Sequence, residues 1–165
     1  MLGSMTTLPG TRYDEYGFVV GNKGPRPEVT KGAAILAIGG ALFIVAALLP
    51  WYKNGDVSLN GMDTFVNVDG NEFVNPGLSW LIIGSVLLVL AGVSYVRKRY
   101  LGVAIAAVVI SVIGVFASLL GVGCAQSQRD FSAGGDATYG AYIGIVSMLV
   151  AVAGSVQILS KRRAA

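Results

Sequence analysis

Arg97-Lys98-Arg99-Tyr100 stands between two long apolar runs, residues 78–96 and 101–122. Three adjacent cations cannot rest in hydrocarbon, and four residues leave room only for a tight turn. The reading that follows puts this turn on one face of a membrane. Under the positive-inside rule that face is the cytoplasm, and the other segments are placed by counting spans outward from it.

The composition agrees with that start. The chain has 165 residues, 54% of them hydrophobic and 13% charged, and its mean hydropathy is +0.68. Soluble domains carry about 25% charged residues. Four apolar runs predict spans over residues 32–50, 78–96, 101–122 and 139–159, each long enough to cross a hydrocarbon core of about 30 Å. Residues 1–31 read as a cytoplasmic tail and linker, and 161–165 as a basic cytoplasmic tail. The first thirty residues are polar and lack the apolar core of a cleavable signal peptide.

Charge tests the threading. On the inner side fall Arg12, Lys23, Arg26, Lys31, Arg97, Lys98, Arg99, Lys161, Arg162 and Arg163, leaving only Lys53 and Arg129 of the 12 cations outside. Asp56, Asp63, Asp69, Glu72, Asp130 and Asp136 fall outside. The expected fold is therefore an all-α integral membrane protein, a four-helix transmembrane bundle with both termini cytoplasmic. The expected location is the bacterial plasma membrane.

The outer loops cover residues 51–77 and 123–138. Asn60-Gly61 and Asp69-Gly70 are hairpin signals. With Val57-Ser58-Leu59, Met62 to Val68 and Phe73-Val74 around them, they predict a three-stranded meander in the first loop. The second loop is Gly/Ser-rich and reads as irregular. Trp51, Tyr52, Trp80, Tyr95, Tyr100, Tyr139 and Tyr142 sit where aromatic anchors meet the membrane interface.

Several chemistries are excluded or disfavoured. There is no His and one Cys, so His-based haem, zinc or acid–base sites and an internal disulfide are ruled out within the chain. No Asp, Glu, Lys, Arg or His lies inside a predicted span, which argues against a proton relay or a charged filter. Asn67, Asp69, Asn71 and Glu72 gather at one turn but lack the spacing of a calcium loop. Cys124 reads as a free thiol at the outer interface. No P-loop, dinucleotide fingerprint or nucleophile elbow occurs. The expectation is no catalytic residue, no metal, no cofactor and no enzyme activity. With no basic stripe on a soluble domain, nucleic acid is excluded as a partner.

Small residues recur at four-residue spacing: Ala33, Ala37 and Ala41 in the first span, Gly114 and Ser118 in the third, Gly140 and Gly144 in the fourth. That spacing makes a stripe along which helices approach closely, within the bundle or against a partner. In the N-terminal tail, Tyr13, Tyr16 and Phe18 form an aromatic group suited to docking on a cytoplasmic surface.

Leu48-Leu49-Pro50-Trp51-Tyr52 closing the first span, Gly55-Asp56-Val57-Ser58-Leu59-Asn60-Gly61 in the outer loop, and Ala/Gly/Val-rich helices together resemble small four-span membrane proteins of actinobacteria. Accessory subunits of the cytochrome bcc–aa3 respiratory supercomplex are among these. The resemblance implies a non-catalytic structural subunit of a larger membrane complex, plausibly respiratory. Its partners would be other integral membrane proteins and membrane lipids. The alternative is a small self-assembling transporter or channel subunit. A membrane enzyme using the outer carboxylates ranks behind both.

Overall fold

The computed structural model describes residues 12–13, 19–20, 27–67, 69–96 and 101–163. Four long apolar helices dominate: α1 (Pro27–Leu48), α2 (Gly77–Val96), α3 (Leu101–Phe131) and α4 (Tyr139–Arg163). Among the described residues seven short strands accompany them: β1 (Arg12–Tyr13), β2 (Val19–Val20), β3 (Pro50–Asn54), β4 (Val57–Asn60), β5 (Phe65–Val66), β6 (Glu72–Phe73) and β7 (Asp136–Ala137). The Arg97–Tyr100 turn lies outside the described residues, as do Tyr16 and Phe18. Tyr13 is described only as backbone, in β1 paired with β2.

Local sequence sets the helix limits. Pro27 occupies the first helical position of α1, where no intrahelical N–H is needed. Pro50 disfavours helical geometry at Leu49, and α1 ends at Leu48. α3 has no proline, and its second half, Cys124-Ala125-Gln126-Ser127-Gln128, contains no strong helix breaker. The helix therefore runs 31 residues to Phe131, beyond the end that apolar content predicts at residue 122. At 1.5 Å per residue it measures about 46 Å, some 16 Å more than a hydrocarbon core.

Each helix packs on two neighbours in a ring, α1 on α2 and α4, α3 on α2 and α4, with α1 against α4 the most extensive seam. Glycines make that closeness possible. A methyl group on Gly39 would lie 2.7 Å from the Ala151 backbone nitrogen, and one on Gly154 would lie 2.5 Å from that of Leu36. Gly40 and Gly84 face each other across α1 and α2, each within 3.0 Å of the other's carbonyl oxygen if given a Cβ.

Strands β3 to β7 build a cap over one end of the bundle. β3 and β4 form a hairpin around Gly55, whose φ of 57° is costly for any residue with a Cβ. β7 pairs with the other edge of β3, Tyr52 opposite Ala137 and Lys53 opposite Asp136. β5 and β6 form a separate hairpin, Phe65 opposite Phe73, turning through Gly70 at φ 80°. This corrects the expected single three-stranded meander. Asn60-Gly61 is not its turn: the Asn60 side chain accepts from the Met62 N–H at 2.7 Å, and Gly61 donates to the Ala47 carbonyl at 3.0 Å. The second loop supplies a strand rather than an irregular crossing, because β3 leaves an edge with unpaired donors and acceptors and residues 136–137 fill it.

Candidate functional site

The distinctive side chains of the molecule converge where the cap meets the helices. Trp51 starts β3, Trp80 lies one turn into α2, Phe43 comes from α1 and Phe65 from β5. All four are buried. The Trp51 and Trp80 rings stand 4.2 Å apart, and Phe43 stacks on Trp80 at 4.6 Å and 14°. Phe65 closes on Trp51 at 5.9 Å. Both indole N–H groups find partners, Trp51 donating to the Ala46 carbonyl at 2.8 Å and Trp80 to the Ala117 carbonyl at 3.1 Å. Three glycines leave the room: a Cβ on Gly61 or Gly121 would strike a tryptophan ring, and one on Gly144 would sit inside that of Trp80.

This corrects the reading of Trp51, Tyr52 and Trp80 as membrane-interface anchors. Their relative exposures are 0%, 2% and 1%. Their amphipathic rings suit an interface, but here their polar atoms are satisfied by backbone carbonyls inside the protein. Tyr52 donates its hydroxyl to the Gly134 carbonyl at 2.7 Å, tying β3 to the loop before β7. Tyr95, Tyr139 and Tyr142 are exposed, whereas Tyr100 lies outside the described residues.

The small-residue positions diverge in their surroundings. Ala33 is buried, Ala37 half-buried and Ala41 exposed. Gly114 receives the Met148 side chain from α4, and Ser118 is buried with its hydroxyl on the Val115 carbonyl at 2.7 Å. Gly140 meets the carbonyls of Leu49 and Pro50 rather than a helix, and Gly144 meets Trp80. The closest helix contacts fall instead on Gly32, Gly39, Gly40, Gly84 and Gly154. A spacing of seven between Gly32 and Gly39 was the available signal for one face of α1.

Outside the aromatic cluster, several polar side chains hold the cap. Asn67 Oδ1 accepts from the N–H groups of Asp69 at 3.0 Å and Asn71 at 2.8 Å, so it closes its own turn. Asp63 accepts from the Asn60 N–H at 2.8 Å. Among the described residues no three His, Cys, Asp or Glu side chains come together as a metal site would require. Cys124 is a free, buried thiol on α3.

One polar side chain joins the extended part of α3 to the cap. Gln128 Oε1 accepts from the Val66 N–H at 2.7 Å, while its Nε2 donates to Ser132 Oγ at 3.0 Å. Replacing Gln128 with Leu leaves the Val66 donor without its acceptor, at a cost of about 1–3 kcal/mol. Hydrogen exchange at Val66 is expected to quicken about tenfold or more, while Gln128→Glu keeps an acceptor and exchanges more slowly than the Leu variant. Equal exchange in wild type and Q128L would show that the contact does not hold β5.

An open groove of about 330 Å³ runs between α1 and α2, lined mainly by Ala34, Ala37, Leu88, Ala91, Gly92 and Tyr95. Nearby on α2, the buried hydroxyl of Ser94 has no hydrogen-bond partner among the described residues.

With this geometry in hand, the kinship of the chain can be stated. The family model described as MiaB C-terminal domain matches residues 26–165, a span that takes in all four helices and the whole cap. No curated protein and no solved structure matches the chain. The match corrects four expectations. The chain is not of the bcc–aa3 accessory-subunit kind, because its family is named for MiaB, a radical SAM group of tRNA-modifying enzymes. The role of structural subunit in a respiratory complex falls with that resemblance, and so does the transporter alternative. The partner set of membrane proteins and lipids without nucleic acid is overturned; the missing basic stripe had been the ground for setting nucleic acid aside. The assignment to the bacterial plasma membrane is overturned as well. All four rested on architecture and composition, which many unrelated chains share. Covering more than four-fifths of the sequence, the match makes this chain a member of the MiaB C-terminal domain family.

Proposed function

We propose that this domain is a non-catalytic four-helix bundle whose aromatic cap rigidly closes one end and whose apolar outer face is covered rather than left in water. The observation that carries this reading is the outward face of the helices. Ile82, Val89, Phe116, Leu120, Val146 and Leu149 are between 57% and 72% exposed. They come from three helices, and Ile38 and Val45 of α1 continue the same apolar surface. A monomer in water does not sustain an apolar girdle of this extent, because contiguous patches beyond a few hundred Å² drive association. Each of the four helices is long and apolar enough to cross a membrane. Every backbone polar group in such a helix is satisfied internally. The buried hydroxyls of Ser111, Ser118, Ser147 and Ser155 likewise bond to carbonyls of their own helices, as serine does in an apolar bundle.

The non-catalytic part of the proposal draws on the same inventory. Asp63 and Asn67 are engaged in local turns. The densest side-chain cluster is aromatic and already hydrogen-bonded to backbone. Its chemistry is that of a packed joint.

Extraction provides the test. Membranes from cells expressing the chain are washed in alkaline carbonate, then in non-denaturing detergent. The protein is expected to stay in the carbonate pellet and to enter solution only with detergent. Recovery as a monodisperse species from the cytosolic fraction without detergent would overturn the covered apolar face.

A further inference from the structure

The family carries the name of a radical SAM enzyme group, and such chemistry calls for an iron–sulfur cluster. Protein-bound clusters are held by several cysteine thiolates, with histidine as the other established ligand. This chain has one cysteine and no histidine. Among the described residues no group of three candidate ligands forms. Assembly from several copies would need Cys124 at a surface where chains meet. Cys124 is instead only 9% exposed, on a stretch of α3 where Gly121 before it and Ala125 after it are buried too. Gly121 lies against Trp80 and Trp51, so the helix cannot turn Cys124 outward without breaking the aromatic joint. The donor set does not fit the cluster.

From this disagreement we infer that the chain works without an iron–sulfur cluster of its own. Any radical step associated with it would draw on a cluster held by cysteines of a separate polypeptide or segment. The inference goes beyond the proposed covering of the apolar face and does not depend on it: extraction tests how that face is covered, and metal loading tests what the protein holds.

The test uses the full chain, purified anaerobically and incubated with ferrous iron, sulfide and a thiol reductant, then desalted. Iron and acid-labile sulfide are expected to fall to the level of a cysteine-free control protein, with no visible charge-transfer absorption. Cys124→Ala is expected to retain the same trace iron as wild type. Stoichiometric iron and sulfide with that absorption, retained by wild type and lost in C124A, would overturn the inference. So would stoichiometric retention that survives C124A, because the ligands would then be side chains outside the set considered.

Discussion

Trp80→Ala is expected to destabilise the protein by about 3–5 kcal/mol, the range for deleting a buried tryptophan from a packed core. Trp80 links three helices and the cap. It stacks on Phe43 of α1, abuts Trp51 of β3, and donates to Ala117 of α3. It also fills the space above Gly144 of α4 and Gly121 of α3. Neither glycine has a side chain that could extend into the vacated volume. The Ala117 carbonyl also loses its indole donor. Unfolding in mixed micelles, followed by fluorescence of the remaining tryptophan, Trp51, measures the loss. Trp80→Phe keeps most of the ring contact and should recover a large part of it. A change below about 1 kcal/mol for W80A would show that the cluster is ornamental to stability.

Gly144→Ala should cost about 1–3 kcal/mol, as overpacking does in a filled core. The added methyl would coincide with the Trp80 ring, which Phe43 and Trp51 hold from other sides. The sharper measurement is a double-mutant cycle with Trp80→Leu. Once the ring is shortened, the methyl has space, and the cost of G144A should fall by about 1 kcal/mol or more. Additive costs in the cycle would mean that Gly144 is needed for some reason other than the indole. Gly92, beside which a Cβ meets open space, serves as the control and should tolerate alanine.

The comparison of Gly140 and Gly144 with the α1–α4 seam explains why periodicity alone misplaces contacts. Four-residue spacing identifies residues that share a stripe. It does not identify what lies across from the stripe. On α4 the opposing surface at that end is an indole and the turn out of α1, whereas helix-to-helix contact comes lower down, at Gly154. The resemblance to respiratory accessory subunits failed for a related reason. Span number and composition are shared by many families, and the local likeness from Leu48 to Tyr52 involves residues that here serve the cap's own packing.

The amino-acid sequence by itself determined that four long apolar helices form, because their lengths of uninterrupted apolar residues admit little else and proline or polar segments break them. Asp69-Gly70 also determined its own turn, since glycine alone accepts φ 80° there without strain. Only the tertiary structure decided the fate of the tryptophans. An indole at a helix end satisfies its N–H equally well in a lipid interface or on a buried carbonyl, and the choice depends on Gly61, Gly121 and Gly144, which are remote in sequence from Trp51, Trp80 or both. The pairing of β7 with β3 was decided the same way, because two residues carry too little pattern to declare a strand until the open edge at Tyr52 and Lys53, far away in sequence, is brought beside them.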